Sequence, residues 1–193
     1  MRKLIFGMNL TLDGYIAAPG DDIGWSDPSD ELFRWWLDQE LGIGLMLYGR
    51  KLWEAMSSYW PTGDRQPDAT PAQIEFARNW RDPPKVVFSS TIDEVGWNTR
   101  LVTGDPVAEI TRLKAGDGGS MRIGGATLAG AAMRAGLIDE YAIVTHPVLV
   151  GGGTARTWRP CGPRRTRSRT RSRGWRARWT RRSSCSRTSR SCR

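Results

Sequence analysis

The sequence predicts an α/β domain with a largely parallel central sheet, followed by a tail of different composition. Short apolar runs, typical of buried strands, alternate along the chain with segments whose apolar residues recur at helical spacing. This alternation favours parallel strands joined by helical crossovers. It stops after Thr154, where the composition also changes. We therefore expect one domain over residues 1–154 and a separate tail over residues 155–193.

The first strand and the first helix have clear boundaries in the sequence. Residues 3–12 are apolar and β-prone and end at an Asp-Gly turn signal. Asp27 is expected to cap the first helix, with Pro28 at its first position. An apolar stripe at helical spacing then continues to a stop near Gly42.

The remaining elements alternate in the same way. Thr70-Pro71 is typical of a capped helix start, and Gly136 of a helix end. Helices are predicted over residues 51–59, 71–80, 106–115 and 126–135. Strands are predicted over residues 45–48, 85–89, 100–103, 121–123 and 141–150.

The formal net charge of +9 combines two segments of opposite sign. Residues 1–154 contain 14 Lys and Arg against 20 Asp and Glu, whereas residues 155–193 contain 15 Arg and no Lys, Asp or Glu. The domain is therefore acidic, and the basic character that would point to nucleic acid comes from the tail alone. The tail lacks apolar periodicity, and its composition predicts disorder.

Cysteine usage and hydropathy exclude several classes of protein. All three cysteines lie in the tail at irregular spacing, which fits neither a disulfide framework nor a zinc site. No apolar run approaches the roughly 20 residues of a membrane span. Polar residues interrupt the apolar N-terminal run too early for a signal peptide. We expect a cytoplasmic protein without a membrane span or a metal centre.

Three turns that follow predicted strands have the make-up of anion-binding loops. At Gly49-Arg50-Lys51, the N–H groups that open the next helix and the Arg50 guanidinium can hold a phosphate. Gly124-Gly125-Ala126-Thr127 lets the backbone approach a pyrophosphate and adds a hydroxyl. Ser89-Ser90-Thr91 offers three hydroxyls to a ribose or a 2′-phosphate. Each turn also has a structural interpretation, as a glycine turn or a capping turn.

Together, the three turns favour a dinucleotide as the ligand. In α/β sheets, ligands bind outside the carboxyl ends of the strands, where these turns are expected to lie. The glycine spacing is not the Rossmann GxGxxG fingerprint, so a different nucleotide-binding arrangement is required.

An ordered series of motifs carries a family resemblance. The motifs are TLDGYIA (11–17), YGRK (48–51), VFSST (87–91), GGATL (124–128), GLIDEY (136–141) and PVLVGGG (147–153). The series extends over nearly all of residues 1–153. It resembles the reductase family typified by the C-terminal domain of the bifunctional riboflavin-biosynthesis deaminase-reductase, a relative of dihydrofolate reductase.

The resemblance implies a dihydrofolate-reductase-like, three-layer α/β/α fold that binds NADPH across the strand ends. It places cofactor phosphate at the two glycine-containing turns and the adenosine end at the hydroxyl-rich turn. The loop that contains Asp13, Gly14 and Ala17 borders the nicotinamide and the substrate in this family. The implied cofactor-binding residues are Ala17, Gly49, Arg50, Lys51, Ser89, Ser90, Thr91, Gly124, Gly125, Ala126 and Thr127.

Few residues are candidates for acid–base chemistry. Asp13 is the candidate for catalytic contact with substrate, although an Asp before Gly is also a common turn residue. Dihydrofolate reductases place a carboxylate of the first helix against the pterin, and Asp27, Asp30 and Glu31 occupy the start of the corresponding helix. Capping alone explains Asp27 and Asp30. His146, the only histidine, has no Cys or acidic neighbour and is interpreted as structural.

The tail has two interpretations. Its Arg residues alternate with Ser and Thr and can bind nucleic-acid phosphates, while Trp158, Trp175 and Trp179 can stack on bases. Alternatively, the reading frame shifts near Thr154, because a GC-rich gene read out of frame yields many Arg, Ser, Thr, Pro and Trp codons. A tail without any Lys favours the frameshift. The final pair of strands of the family would then be missing, with a sheet edge exposed.

The resulting expectation is an NADPH-dependent reductase that resembles 5-amino-6-(5-phosphoribosylamino)uracil reductase and acts on a small heterocyclic substrate. One alternative is a related reductase of another small heterocycle or carbonyl. The alternative from another class is nucleic-acid binding through the tail. Relatives are often dimers, so the resemblance also implies a homodimer.

Overall fold

The computed structural model describes residues 1–155, and within them strands and helices alternate as predicted. The strands are β1 (Leu4–Thr11), β2 (Tyr15–Ala17), β3 (Ile43–Gly49), β4 (Lys85–Phe88), β5 (Thr99–Val102), β6 (Ser120–Gly124), β7 (Glu140–His146) and β8 (Thr154–Ala155). The helices are α1 (Asp30–Glu40), α2 (Arg50–Tyr59), α3 (Pro71–Arg81), α4 (Pro106–Ala115) and α5 (Ala126–Arg134). Short 3₁₀ helices cover Gly24–Ser26 and Trp60–Arg65.

Six strands form one sheet in the order β5-β4-β3-β6-β1-β7, and every neighbouring pair is parallel. The α/β class with a mostly parallel sheet is thereby confirmed. β2 and β8 form a separate antiparallel pair that was not predicted. Each contributes so few residues that no periodic pattern marks it in the sequence.

The sheet contains a gap between β1 and β6. Their ladder ends where Phe6 pairs with Ile123, whereas β1 continues beside β7 as far as Thr11. β1 therefore projects beyond the end of β6. Among the described residues, no strand pairs with the β6 side of Met8 and Asn9, and we refer to this opening as the sheet gap.

The two faces of the sheet pack against different helices because successive side chains of a strand point in opposite directions. On one face, the strands bury leucine, phenylalanine and isoleucine side chains against Ile110 of α4 and Leu128 of α5. On the other face, Tyr48 and Val87 pack against Trp80 of α3. These contacts form the outer layers of a three-layer arrangement.

Helix α1 packs on the second face of the sheet, and a buried ion pair joins the helix to β6. Arg122 of β6 lies 3.0 Å from Glu40 at the end of α1, and both side chains are largely buried. The Trp36 ring lies 5.3 Å from the Arg122 guanidinium. Burial raises the pKa of Glu40, and the positive charge of Arg122 opposes that rise.

Helix α1 is capped by Ser29, so the prediction that Asp27 caps it is wrong. The Ser29 hydroxyl accepts a hydrogen bond from the Leu32 N–H at 3.3 Å, and Ser29 has the extended backbone of an N-cap. Asp27 instead ends the preceding 3₁₀ helix. In contrast, Thr70 caps α3 as predicted, in a reciprocal capping box with Gln73.

Strand β7 ends at His146, earlier than the predicted end at residue 150. Proline lacks the N–H that a ladder requires, and Pro147 follows directly. The described fold continues to Ala155 in β8, one residue into the segment predicted as tail. The predictions of disorder and of nucleic-acid contacts in the tail otherwise concern residues 156–193, which lie outside the described part of the chain. None of the helices in residues 1–155 is long and apolar enough to cross a membrane.

Candidate functional site

A cleft of about 840 Å³ runs along the carboxyl ends of the parallel strands. The predicted cofactor-binding residues that line it are Ala17, Gly49, Arg50, Lys51, Ser89, Ser90, Thr91, Gly125, Ala126 and Thr127. Of the predicted set, Gly124 alone is absent from this lining. The fold therefore brings together turns that lie far apart along the chain.

The first turn joins β3 to α2 and holds two basic side chains. Gly49 is the N-cap of α2 and provides no side-chain cap for the N–H groups of the first helical turn. Gly49, Arg50 and Lys51 all line the cleft. The Arg50 guanidinium donates to both carboxylate oxygens of Glu54, at 3.0 and 2.9 Å. The Lys51 ammonium lies 2.6 Å from Asp21. Both pairs are substantially exposed, and an incoming anion can compete for either cation.

The second turn joins β6 to α5 and lies against the first. Gly125 has a φ of +93°, a conformation that favours glycine, and a Cβ there would lie 3.5 Å from the Gly49 nitrogen. A Cβ at Gly124 would lie 2.5 Å from Leu52 Cδ2, so a side chain at that position would force the Leu52 side chain to move. The N-termini of α2 and α5 are thereby held side by side at one point of the cleft. Two adjacent helix N-termini favour a doubly charged anion, because the positive ends of both helix dipoles point to the same place.

The hydroxyl-rich turn after β4 lies at another part of the same cleft. The Ser89 hydroxyl accepts from the Thr91 N–H at 3.1 Å and lies 3.2 Å from the Thr91 hydroxyl. The backbone and hydroxyl contacts of Ser89 and Thr91 are therefore those of a capping turn. Ser90 and Thr91 are exposed toward the cleft, and their hydroxyls can still contact a ligand.

Asp13 is not brought to the cleft lining. Its carboxylate accepts hydrogen bonds from the Thr11 hydroxyl at 2.6 Å and from the N–H groups of Gly151 at 2.9 Å and Val150 at 3.5 Å. The Thr11 hydrogen bond is the main reason that the pKa of Asp13 is lowered, and the two backbone donors add to it. In this position, Asp13 joins the end of β1 to the glycine-rich segment that precedes β8. Its catalytic role stays a prediction.

Several residues of the cleft were not singled out from the sequence. One end of the cleft is apolar and includes Met8, Ile16 and Ile23. Arg134, in the last turn of α5, also lines the cleft, is exposed, and forms no hydrogen bond or ion pair within residues 1–155. Basic residues are common at helix C-termini because they interact favourably with the negative end of the helix dipole. The sequence therefore carried no signal that distinguished Arg134.

The sequence of the chain matches a known family along most of its length. The match to the RibD C-terminal domain covers residues 2–184. Uncharacterized protein YyaP of Bacillus subtilis (strain 168) is 31% identical over 155 residues, which are 79% of this chain and 78% of that protein.

Solved structures agree with the chain in fold. A putative riboflavin biosynthesis protein from Shewanella sp. PV-4 superposes with a TM-score of 0.58 at 23% identity, over 81% of this chain and 82% of the other. Dihydrofolate reductase from Enterococcus faecalis, solved with NADP(H) and RAB-propyl, superposes with a TM-score of 0.51 at 17% identity. The superposition covers 79% of this chain and 76% of the other.

A third structure is a diaminohydroxyphosphoribosylaminopyrimidine deaminase/5-amino-6-(5-phosphoribosylamino)uracil reductase from Thermotoga maritima. It gives a TM-score of 0.53 at 16% identity and covers 80% of this chain but only 47% of that protein. These likenesses confirm the predicted dihydrofolate-reductase-like fold. On the sequence match, the chain belongs to the RibD C-terminal domain family.

Proposed function

We propose that this chain is an NADPH-dependent reductase of a small heterocycle, similar to the 5-amino-6-(5-phosphoribosylamino)uracil reductases of riboflavin biosynthesis. The single observation that carries the proposal is the contact between the first turns of α2 and α5 inside the cleft. Gly49 and Gly125 bring the positive ends of two helix dipoles to one place, which is suited to the pyrophosphate of a dinucleotide.

The positive groups on either side of that place favour a phosphorylated cofactor. Arg50 and Lys51 lie at the N-terminus of α2, and Arg134 lies at the other end of α5. The hydroxyls of Ser89, Ser90 and Thr91 suit the adenosine ribose and its 2′-phosphate. NADPH therefore fits the charge of the site better than NADH, which lacks the additional phosphate.

The apolar end of the cleft suits the nicotinamide. Met8, Ile16 and Ile23 offer apolar surface there, and the sheet gap lies directly beside Met8. Bound NADPH would supply the hydride. The protein would hold the nicotinamide at the gap, orient the acceptor on the opposite side and keep water away from both.

The family and its structural relatives support the proposed substrate class. The reductase from Thermotoga maritima is named for a ribosylaminouracil, and dihydrofolate reductase for a pterin derivative. Both substrates contain a planar nitrogen heterocycle. A reductase of a different small heterocycle or of a carbonyl compound is the nearest alternative. A cytoplasmic location and a homodimer are part of the same proposal, by analogy with the family.

Calorimetric titration of the full chain with NADPH and with NADH tests the cofactor assignment. We expect NADPH to bind at least tenfold more tightly than NADH, because a phosphate in a charge-assisted hydrogen bond contributes more than about 1.4 kcal/mol. The Arg50→Gln variant should lose most of that preference. Arg78→Gln is the matched control, because Arg78 is exposed on α3 and outside the cleft. The proposal fails if neither nucleotide binds or if both bind equally to the unchanged protein.

A further inference from the structure

A second cavity, of about 540 Å³, opens at the amino ends of β3, β4 and β5. Its lining includes Lys85 and Thr99, the first residues of β4 and β5, and Leu45 near the start of β3. The carboxyl ends of the same three strands line the cleft. The two cavities therefore lie at opposite ends of these strands, and no residue lines both. We refer to the second cavity as the amino-end pocket.

The charged residues that line the amino-end pocket are all basic, namely Lys85, Arg100 and Arg112. One carboxylate, that of Glu109, contacts both guanidinium groups. It accepts from Arg100 Nη2 at 2.5 Å and from Arg112 Nε and Nη2 at 2.8 Å each. A guanidinium has more N–H donors than these contacts use, and more than half of each arginine side chain is exposed. Arg100 and Arg112 can therefore bind a second anion together.

Lys85 adds a buried positive charge to the amino-end pocket. Its side chain is 1% exposed, and its ammonium donates to the backbone carbonyls of Arg81, Pro83 and Trp97. Within residues 1–155, no carboxylate forms an ion pair with it. Burial lowers the pKa of Lys85 to about 8, and the negative charge of Asp82 opposes that shift only in part. An anion in the pocket would therefore be attracted by this charge as well.

A strained turn brings Trp97 into the pocket lining. Trp97 and Asn98 have φ values of +58° and +53°, a left-handed conformation that a bulky residue such as tryptophan rarely adopts. Hydrogen bonds hold the turn on several sides. The Asn98 carbonyl accepts from the Lys85 N–H at 2.8 Å, the Asn98 amide donates to the Asp82 carbonyl at 2.9 Å, and the Thr99 hydroxyl donates to the Trp97 carbonyl at 3.2 Å. Backbone strain that the surroundings fix in this way is concentrated at functional sites.

The chemistry of the lining indicates a flat ring joined to a phosphate. Trp97 is 45% exposed although it lies in a rigid turn, and an exposed indole offers a face on which a planar base can stack. A phosphate has enough terminal oxygens to accept from both arginine side chains at once. The cavity volume lies within the range of about 300–1,000 Å³ that is typical of small-molecule sites.

We propose that the amino-end pocket is a second ligand site and binds a nucleoside monophosphate. The base stacks on Trp97, the phosphate accepts hydrogen bonds from Arg100 and Arg112, and Lys85 attracts the phosphate without contacting it. The inference does not depend on the proposed reductase function, because the two cavities have no lining residue in common.

Calorimetric titration of the full chain with GMP and with UMP tests the site. These nucleotides are used instead of AMP because the cofactor proposed for the cleft contains adenosine. We expect at least one of them to bind, and to bind about tenfold more tightly than its nucleoside, which lacks the phosphate, and than ribose 5-phosphate, which lacks the base. Saturation with NADP⁺ should leave the affinity unchanged.

Two variants test the individual contacts. Trp97→Gly removes the indole and keeps the turn, because glycine readily adopts a positive φ. Arg112→Gln removes one guanidinium from the exposed end of α4. Each should weaken nucleotide binding about tenfold, the effect of one lost stacking contact or charge-assisted hydrogen bond. The matched controls are Trp35→Ala on α1 and Arg78→Gln on α3, both exposed and outside the pocket, and they should leave binding unchanged.

Several results would overturn the inference. The amino-end pocket is not a nucleotide site if neither GMP nor UMP binds, if the nucleoside binds as tightly as the nucleotide, or if either Trp97→Gly or Arg112→Gln keeps full affinity. Competition with NADP⁺, or loss of nucleotide binding in Arg50→Gln, would show that the nucleotide occupies the cleft instead. Failure of NADP⁺ itself to bind would count against the proposed reductase function and leave the test of the pocket intact.

Discussion

Gly49 and Gly125 hold the first turns of two helices against each other, and a Cβ at Gly125 would lie only 3.5 Å from the Gly49 nitrogen. The two glycines belong to β3–α2 and β6–α5 units that are far apart along the chain but adjacent in the sheet. Neither turn is specific for an anion by itself, because glycine turns between strands and helices are common. Their contact is what makes the site distinctive.

Gly125→Ala should therefore weaken NADPH binding by about tenfold or more. At a φ of +93°, any side chain strains the backbone, and relaxation of that strain would move the N–H groups of α5 away from α2. Calorimetry with NADPH measures the effect. Gly96→Ala is the control, because a Cβ at Gly96 would meet no other described residue within 4 Å and this position lies outside the cleft. Equal affinities of the two variants would contradict the proposed role of the turn.

Asp21→Asn should strengthen NADPH binding by a few-fold. The Lys51 hydrogen bond is the main cause of the lowered pKa of Asp21, which shows that this carboxylate already engages a cation of the proposed phosphate site. Removing the charge leaves Lys51 available to phosphate, and the gain is small because an exposed ion pair contributes less than about 1 kcal/mol. Asp68→Asn, a change of an exposed Asp away from the cleft, should not alter the affinity. Weaker binding in Asp21→Asn would show that Asp21 supports the site instead of competing for Lys51.

Asp13→Asn should lower the melting temperature at neutral pH. Asparagine replaces one acceptor oxygen with a donor, so the hydrogen bonds from Thr11, Val150 and Gly151 cannot all be kept. Thermal unfolding of this variant beside Asp117→Asn, which changes an exposed loop residue, measures the loss. A predominantly catalytic Asp13 would give a different result, with an unchanged melting temperature and a large loss of kcat.

The acid stability of the domain should depend on Glu109. Hydrogen bonds from Arg112 and then Arg100 lower the pKa of Glu109 to about 2, below its ordinary 4.5. Because the unfolded chain binds the proton more readily, this stabilisation is complete above about pH 4.5 and is lost as the pH falls toward 2. The melting temperature of Glu109→Gln should therefore lie below that of the unchanged protein at neutral pH, and the difference should close in acid. A matched change at exposed Glu75 should show no such pH-dependent difference.

The elements of the domain were predictable where local patterns determine them. The capping box at Thr70, the stop at Gly136 and the alternation of apolar runs all correspond to observed boundaries. The N-cap of α1 was assigned to the wrong residue because Asp27 and Ser29 both suit that role, and only the backbone geometry distinguishes them. Lys85 is also instructive, since it is 1% exposed and donates to three backbone carbonyls, which a strand pattern does not indicate.

The candidate site was only partly predictable. The three turns could be found because glycines, hydroxyls and basic residues follow apolar runs. The ring contact between Trp25 and His146 could not be predicted, because it depends on where β7 ends and on the position of a short 3₁₀ helix. His146 was interpreted as structural from its sequence neighbours, and its edge-to-face contact with Trp25 agrees with that interpretation.

The order of strands in the sheet also affects how the domain folds. β6 lies between β3 and β1, and Leu4 pairs with Met121 although most of the domain separates them along the chain. Contacts of such high sequence separation incur a large loop-closure entropy and slow the folding reaction. The cleft cannot exist until β6 has been inserted between its neighbours. A dinucleotide would therefore bind only to the fully assembled sheet, and its concentration would shift the folding equilibrium of the whole domain.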